Sequence, residues 1–436
     1  MKQPNIVIIL MDTMRMDALS AYNPSLSMPN TDGLIRDSVI YRNAIAPSSW
    51  TLPSHVSMFT GMYPSEHGIH ETYDLKTPGL IEMMHTGKLS LPARTIAERL
   101  RSLGYNTLGI SANMQISSYT QMDAGFNAFV DITKRDEAAG QAAAYGRTRW
   151  QVARNLILHG QFRKLIELYR RRGEHVRLSE NYPIDKGGNW ITWLLGRTSL
   201  ESPFFLFINM MEMHDPYPSD VKYVPNQFHL NDLFEINRIS PGLMARIRRE
   251  YFEQSRIADE YIGRVLKFLK SVYDETLIIL TSDHGQALRE RNYYGHGIYL
   301  YDELVRIPLV VKYPQGVKPE QSGIYSLAGI QKMIMEAVDG AFQWKGMEFA
   351  VSETYGIQDS LDDIAVSEEV RKAYDVPRKA IFKGDYKLVV NGSSGAVEEF
   401  SKNGKQADIN DEREAYLDLL NELYLYRGSE KFKLPS

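Results

Sequence analysis

The sequence contains no cysteine among its 436 residues. Disulfide bonds, thiolate metal sites and cysteine nucleophiles are therefore excluded, so any metal site or nucleophile must use oxygen or nitrogen atoms. A large excess of one charge sign is also missing, because 50 basic and 54 acidic residues leave a net charge of −4. A balance this close to neutrality argues against a general nucleic-acid binder.

Long apolar runs are lacking as well. The run at residues 6–11 is too short for the core of a signal peptide, and no apolar segment approaches the roughly 20 residues that span a bilayer. We therefore expect a cytoplasmic protein without a membrane-spanning segment. The length allows two or three domains, or one large α/β domain with an appendage.

Predicted strands alternate with helical patterns along the first three quarters of the chain. Continuous apolar runs at residues 6–11, 105–110, 203–210 and 277–280 predict strands that are covered on both faces. Helices between such strands are typical of a parallel sheet. We predict an α/β catalytic domain over residues 1–345.

The composition changes twice along the chain. Residues from about 134 to 200 are arginine-rich with helical propensity, and we interpret them as an insertion covering one side of the sheet. The insertion could attract an anionic substrate or surface, although a solvated charged helical face is the commoner explanation. Short strands, turns and a helix over residues 346–436 predict a small C-terminal α+β subdomain.

The stretch from Ser49 to Gly61 holds the central candidate residue. Pro53 near its start and Gly61 at its end predict a short helix. Thr51 would lie at the helix entry, where the backbone N–H groups and the helix dipole stabilise negative charge. For this pattern alone, an ordinary helix-capping threonine is the simpler interpretation.

Polar residues follow three of the predicted strands. Asp12 follows the first strand, His214 follows the third, and Asp283 with His284 follows the fourth. Because the carboxyl ends of parallel strands share one edge of a sheet, we expect these residues to converge. Two carboxylates, an imidazole and a hydroxyl would make a divalent-metal site, and a histidine beside it could protonate a leaving oxygen.

Taken in order, these residues resemble the sulfatase branch of the alkaline phosphatase superfamily over nearly the whole chain. The motifs that carry the resemblance are Pro4-Asn5-Ile6 through Asp12, Thr51-Leu52-Pro53-Ser54-His55 with Phe59-Thr60-Gly61 and Tyr63-Pro64, His214-Asp215-Pro216-Tyr217, Ser282-Asp283-His284-Gly285, Gly295-His296-Gly297 with Tyr301-Asp302-Glu303, and Gly384-Asp385-Tyr386-Lys387-Leu388. Each motif alone is weak, whereas the ordered set is specific. The resemblance implies an alkaline-phosphatase-like α/β fold, with a large mixed, mostly parallel sheet flanked by helices.

The resemblance also implies roles for individual residues. One divalent metal ion (Mn, Mg, Zn or Ca) would be held by four residues: Asp12, Thr51, Asp283 and His284. Thr51 would also be the nucleophile, and His214 and His296 would bind substrate or act as acid and base. We further predict substrate-binding residues at or beside the family's motif positions, namely His55, Asn113 and Arg15.

Several positions depart from the family pattern, among them Ser111 and Asn113, which stand where sulfatases carry lysine and histidine. Sulfatases convert a cysteine or serine to formylglycine, but Thr51 stands there and cannot become the aldehyde. His55 replaces the signature arginine, and Thr13 replaces the second aspartate of the first motif, which removes one ligand. A threonine ester lacks the second hydroxyl that expels sulfate, so it must be hydrolysed at its central atom, which phosphate permits more readily.

We therefore predict a metal-dependent, sulfatase-like hydrolase that acts through a covalent Thr51 intermediate. The expected substrate is a small anionic ester, such as one on a glycan or lipid headgroup; phosphate mono- or diesters are favoured over sulfate esters. One alternative is a phosphotransferase with an alcohol acceptor, because phosphoethanolamine transferases and lipoteichoic acid synthases carry a similar threonine and metal set. The other is a non-catalytic binding protein, and homo-oligomerisation stays open.

Overall fold

The computed structural model describes residues 3–70, 93–118, 120–132, 186–217, 240–356 and 374–426, together with residues 368 and 435. Most of the predicted basic insertion, residues 134–185, lies outside the described residues. Among the residues described, no helix has both the length and the apolar content to cross a membrane.

The strands and helices are numbered in chain order within the described residues. The strands are β1 (Asn5–Met11), β2 (Val39–Ile40), β3 (Ala44–Ile45), β4 (Asn106–Ser111), β5 (Ala128–Asp131), β6 (Phe204–Met210), β7 (Thr276–Thr281), β8 (Ala287–Leu288), β9 (Tyr294–Gly295), β10 (Leu309–Lys312), β11 (Tyr325–Ser326), β12 (Phe349–Tyr355), β13 (Pro377–Lys383), β14 (Tyr386–Asn391), β15 (Val397–Lys402) and β16 (Lys405–Gln406). The helices are α1 (Pro29–Arg36), α2 (Thr51–Thr60), α3 (Pro64–His67), α4 (Ile96–Ser102), α5 (Gly188–Leu195), α6 (Pro241–Phe268), α7 (Asp302–Val305), α8 (Ile330–Val338) and α9 (Arg413–Leu425).

The main sheet has the strand order β2-β10-β7-β1-β6-β4-β5. Strand β1 lies at its centre and pairs in parallel with β6 on one side and β7 on the other. Strands β4 and β5 continue the parallel arrangement, whereas β10 runs antiparallel to both β7 and β2. The sheet is therefore mixed and mostly parallel, which confirms the predicted fold class.

Both faces of the main sheet are covered by helices. Every residue of β1 is buried, and successive side chains point to opposite faces, as the pleat of a strand requires. Ile6, Ile8 and Leu10 pack in one apolar cluster with residues of α2, α4 and α8. Val7 and Ile9 pack on the other face with residues of α1, α5 and α6. The uninterrupted apolar run in β1 thus reflects burial between two helical layers.

The C-terminal part contains an antiparallel sheet in the order β12-β13-β14-β15-β16. Helix α9 covers one face of this sheet, where Leu419 and Leu423 pack against Ile381 and Leu388. The α+β character predicted for this part is confirmed, while its boundary at residue 345 stays a prediction. The sheet is joined to the main domain by a hydrogen bond of 2.7 Å from the Thr354 hydroxyl to the carbonyl of Gly297.

Replacing Ile8 by alanine tests the dependence of the fold on β1. Ile8 is fully buried at the centre of the sheet, so we expect Ile8→Ala to lower the free energy of unfolding by about 2–5 kcal/mol. The matched control is Leu417→Ala on α9, because Leu417 is 44% exposed. Denaturant unfolding followed by circular dichroism should show a clear loss only for Ile8→Ala; similar losses would contradict the central role of β1.

Candidate functional site

The carboxyl ends of two adjacent strands bring the acidic candidates together. Asp12 directly follows β1, and Asp283 and His284 lie just beyond the end of β7. Because β1 and β7 are parallel neighbours, these residues meet at one edge of the sheet. One ligand-type atom from each of Asp12, Asp283 and His284 lies within 4.8 Å of the others, and all three residues are buried.

Helix α2 places Thr51 beside this group. The helix starts at Thr51 after Trp50, its N-cap residue, so the capping position that threonine often occupies belongs to tryptophan instead. The Thr51 hydroxyl oxygen lies 3.1 Å from Nε2 of His284. Nδ1 of His284 donates to the carbonyl of Gly285 at 2.8 Å. Nε2 of the neutral ring is therefore the acceptor, and the Thr51 hydroxyl donates to it.

Each of the two carboxylates has one oxygen that forms no hydrogen bond within the described residues. Oδ1 of Asp283 accepts from the backbone N–H of Thr13 at 3.2 Å and of His284 at 2.9 Å. Oδ2 of Asp12 accepts from Nδ2 of Asn113 at 2.6 Å. Oδ1 of Asp12 and Oδ2 of Asp283 are buried and have no hydrogen-bond partner among the described residues. Burial, followed by repulsion from Asp283, raises the pKa of Asp12 to about 8.

The turn after Asp12 is held in a strained conformation. Thr13 has a φ of 57°, which a β-branched residue rarely adopts. The Tyr251 hydroxyl on α6 donates to the Thr13 carbonyl at 3.0 Å and accepts from the Arg15 N–H at 2.8 Å. The Met14 N–H donates to the Ser282 hydroxyl at 2.9 Å. Contacts from a helix and from the end of β7 thus fix the turn that carries Asp12.

His214 lies beyond β6 and is paired with its neighbour in sequence. Nδ1 of His214 donates to the backbone carbonyl of Asp215 at 2.6 Å and lies 2.7 Å from Oδ1 of the same residue. Burial opposes the charged form of His214, but the Asp215 carboxylate more than offsets this and raises the pKa of His214 to about 9. His214 is therefore an imidazolium at neutral pH, and since Nδ1–H faces Asp215, its second N–H is on Nε2.

Residues 186–188 lie next to the segment that carries His214. The ammonium group of Lys186 donates to the carbonyl of Glu212 at 3.3 Å and to that of His214. The Gly188 N–H donates to the Glu212 carboxylate at 2.8 Å. Just beyond β5, the Ile132 N–H donates to the carbonyl of Ser111 at 2.9 Å. Residues 132 and 186 therefore both lie at the site edge of the sheet.

His296 stands between the other two site histidines. Its ring centroid lies 4.6 Å from that of His284, 5.1 Å from that of His214 and 5.4 Å from the ring of Trp50. Nδ1 of His296 donates to Oε1 of Gln286 at 2.6 Å. Burial, and then the two neighbouring histidines, lower the pKa of His296 well below its usual value. The ring is therefore neutral, with its lone pair on Nε2.

A second set of ligand-type atoms lies beside the first. One such atom from each of His214, Asp215 and His296 lies within 4.8 Å of the others. This set differs from the acidic one in its charge, because the proton on His214 already balances the Asp215 carboxylate.

His55 lies on the core side of α2. Its Nδ1 donates to the Thr51 carbonyl at 2.8 Å, and its Nε2 accepts from Nδ2 of Asn209 at 2.9 Å. The side chain is completely buried, and this burial lowers its pKa. The structure therefore places His55 next to Thr51 but with both ring nitrogens already paired.

Arg15 lies apart from the group. Its guanidinium forms two bonds to Asp17, at 2.8 and 2.9 Å, and one to Glu290 at 2.8 Å. A further bond of 3.1 Å runs from Nη1 to the carbonyl of Gln286. Of the predicted site residues, the structure brings together all except the Arg15 guanidinium, which is committed to this network.

Sequence reasoning assigned no role to four residues that shape the site. Asp215 adjoins a predicted residue and was therefore the easiest to find. Trp50 precedes the candidate nucleophile, but its position gave no chemical signal. Tyr251 showed only the helical spacing of a core residue, and Gln286 belongs to no spacing pattern. Their partners become apparent only when α6 and the loop after β7 are placed against the turn at Asp12.

The chain is similar in sequence to known sulfatases. A family model described as Sulfatase matches residues 4–341. The chain is 24% identical over 323 residues to an ulvan-active sulfatase of Formosa agariphila, covering 72% of this chain and 56% of that protein. It is 23% identical over 487 residues to an N-acetylgalactosamine-6-O-sulfatase of Bacteroides thetaiotaomicron, covering 92% of this chain and 85% of that protein. The chain thus spans little more than half the length of the ulvan-active relative.

A solved structure shows the same fold with low identity. The phosphonate monoester hydrolase of Agrobacterium radiobacter superimposes with a TM-score of 0.63 and 16% identity, covering 97% of this chain and 96% of that one. The strand order, the edge on which the candidates meet and the family match over most of the sequence agree with one another. This chain belongs to the sulfatase family.

Proposed function

We propose that the protein is a divalent-metal-dependent hydrolase of phosphate or sulfate esters, with phosphate esters favoured and Thr51 as the nucleophile. The observation that carries the proposal is the position of the Thr51 hydroxyl. It lies at the start of a buried helix, 3.1 Å from Nε2 of His284, beside two carboxylates with unpaired oxygens. A hydroxyl at such a position can be activated as a nucleophile by the neighbouring groups. The N-terminus of the helix can stabilise the anionic ester that it attacks.

The donor set of the acidic group fits a divalent cation. The unpaired oxygens of Asp12 and Asp283 are buried, and an uncompensated buried charge is strongly unfavourable. Residues Asp12, Thr51, Asp283 and His284 would hold the ion. Their oxygens suit Mg, Ca and Mn, and the imidazole suits Zn, so all four ions stay candidates. When bound, the ion would lower the pKa of the Thr51 hydroxyl and neutralise charge on the ester.

The first half of the reaction uses Thr51 and His214. The Thr51 hydroxyl releases its proton to solvent, and its oxygen forms a bond to the phosphorus atom as the bond from phosphorus to the alcohol oxygen breaks. The leaving oxygen takes the Nε2 proton of His214, which its pairing with Asp215 keeps available at neutral pH. The alcohol leaves, and the phosphoryl group is left as an ester of Thr51.

The second half of the reaction uses His296. Nε2 of His296 carries a lone pair, because its Nδ1–H is donated to Gln286. This lone pair can take a proton from the water that attacks the phosphorus atom of the Thr51 ester, and the bond from phosphorus to the Thr51 oxygen breaks. His296 then returns that proton to the Thr51 oxygen, and His214 takes up a proton from solvent, so the threonine and both histidines regain their starting forms. The net reaction adds one water and yields an alcohol and an inorganic anion.

The proposed preference for phosphate depends on the chemistry of threonine. Cβ of Thr51 carries one oxygen, so the covalent ester is released by attack of water at its central atom. Phosphoryl groups undergo such in-line displacement readily with a metal ion. The relatives named above act on ulvan and on a sulfated amino sugar. We therefore propose anionic esters on a glycan or lipid headgroup as the substrate class.

Substitution of Thr51 tests the nucleophile. We expect Thr51→Val to lower kcat by about 10³-fold or more, because it keeps the shape of the side chain but removes the attacking oxygen. Thr51→Ser is the matched control and should keep most of the activity. The assay is a panel of nitrophenyl phosphate, phosphodiester, phosphonate and sulfate esters with Mg, Mn, Zn and Ca. Full activity of Thr51→Val would exclude the threonine nucleophile.

Substitution of Asp283 tests the metal site. We expect Asp283→Asn to abolish divalent-metal binding in calorimetry, since it removes one of two ligating carboxylates. In the metal-free wild type, burial and Asp283 raise the pKa of Asp12 to about 8, above its usual value. The free energy of unfolding should therefore fall as pH rises from about 4 to about 8, because the folded state must give up a proton that the unfolded state has already lost. The variant should therefore lose less stability over that pH range.

The control for the metal experiment is Asp385→Asn, in an exposed turn of the C-terminal sheet. It should bind metal like the wild type and show the same decline of stability with pH. Metal binding of normal affinity by Asp283→Asn would refute the assignment of this ligand.

The pH dependence of turnover tests the acid. Because the pKa of His214 is raised to about 9, its acidic form is present below that pH and is lost above it. We expect kcat to fall as pH rises through about 9. Asp215→Asn removes the stabilising carboxylate and should move this fall towards 6.5, the usual value. An unchanged alkaline limb in Asp215→Asn would show that His214 is not the acid, and Asp385→Asn again serves as the control.

A further inference from the structure

Gln286 forms an unusual buried contact at the site. Its side chain is completely buried, and Oε1 accepts the Nδ1–H of His296 at 2.6 Å. Nε2 of the same amide is buried and has no hydrogen-bond partner among the described residues. Within the described residues, the Gln286 amide therefore forms its hydrogen bond to His296 alone.

This arrangement is costly for the stability of the fold. A buried N–H group without a partner loses its hydration and receives nothing in return. An apolar side chain of similar length would avoid that cost. Gln286 is therefore poorly explained as a stabilising residue, and a buried polar group that is only half satisfied requires another explanation.

The backbone around Gln286 is fixed on both sides. Nη1 of Arg15 donates to the Gln286 carbonyl at 3.1 Å, and Arg15 is itself held by Asp17 and Glu290. The Gly285 N–H donates to the carbonyl of Leu304 at 2.7 Å. A Cβ atom at Gly285 would lie 2.0 Å from a backbone oxygen of α7, so the chain passes that helix too closely for any side chain.

We propose that Gln286 is a positioning residue that fixes the ring orientation and the tautomer of His296. The amide oxygen can only accept, so it holds the proton on Nδ1 and leaves the lone pair on Nε2. The Arg15 network acts one step further back by holding the Gln286 backbone. This inference rests on the proposed function only in giving His296 the role of base; the placement of its proton is independent of turnover.

The loss of the amide oxygen should act through His296 alone. Gln286→Met keeps the length of the side chain but removes the acceptor, so we expect kcat to fall roughly 10–100-fold with little change in KM. Gln286→Glu retains an acceptor oxygen and should restore most of the rate. In a His296→Ala background, Gln286→Met should cause no further loss.

Gln331 supplies a matched control for burial. It is also a buried glutamine, but its amide nitrogen donates to the backbone carbonyls of Phe59 and Arg94. Gln331→Met should therefore lower the unfolding temperature while the remaining folded enzyme keeps its rate. Gln286→Met should show the opposite result, with an unfolding temperature equal to or above that of the wild type.

Nitrogen NMR of ¹⁵N-histidine-labelled protein gives a readout that does not need turnover. The signals of His296, assigned by their loss in His296→Ala, should show a protonated Nδ1 in the wild type and a mixture of tautomers in Gln286→Met. An unprotonated Nδ1 in the wild type would overturn the proposal. It would also be overturned if Gln286→Met lowered the rate by the same factor in the His296→Ala background as in the wild type. If the NMR spectra show the expected tautomers but the protein hydrolyses no ester, the proposed function is refuted and the positioning role of Gln286 stands.

Discussion

The pairing of β1 between β6 and β7 is the constraint on which the site depends. These strands are parallel and buried on both faces, so their register is set by close packing of large apolar side chains rather than by the polar residues beyond them. A shift of one residue would move Asp12 or Asp283 by about 3.3 Å and turn its side chain to the opposite face. The positions of Asp12 and Asp283 therefore follow from the apolar core.

Charge is divided across the resulting edge of the sheet. The acidic side contains two carboxylates with unpaired oxygens, which suits a cation. The other side contains the His214 imidazolium, balanced by Asp215, and His296 lies between them as a neutral ring. The two histidines differ because one faces a carboxylate and the other an amide. Two-step ester hydrolysis needs a protonated group that acts as the acid next to a neutral group that acts as the base.

Much of this arrangement is visible in the sequence because buried parallel strands leave a local signal. The apolar runs ending before Asp12 and Asp283 predicted both the sheet and the edge where those residues lie. The helix at Thr51 was also predicted, since Pro53 restricts the backbone at the helix start and Gly61 tolerates the left-handed conformation that ends it. These signals depend on residues close in sequence to the element that they define.

The remaining features depend on partners that are distant in sequence or on competition between partners. Arg15 was predicted to bind substrate, but Asp17 and Glu290 satisfy its guanidinium. His55 was given the same role, yet one turn of α2 brings its ring to the Thr51 carbonyl, and Asn209 on β6 takes its other nitrogen. A sequence pattern shows which groups a side chain can bind, whereas packing decides which of them it meets.

The attachment of residues 132 and 186 at the site edge has a consequence for the evolution of the chain. The Ile132 N–H is bonded to the Ser111 carbonyl, and the Lys186 ammonium to the carbonyls of Glu212 and His214, so residues 132 and 186 of the connection from β5 to β6 both lie beside the candidate site. The entropy cost of closing a connection rises only with the logarithm of its length, by about 0.6 kcal/mol for each doubling. Insertions and deletions between residues 132 and 186 can therefore change the length of chain anchored beside the candidate site without altering the register of the strands that precede Asp12 and Asp283.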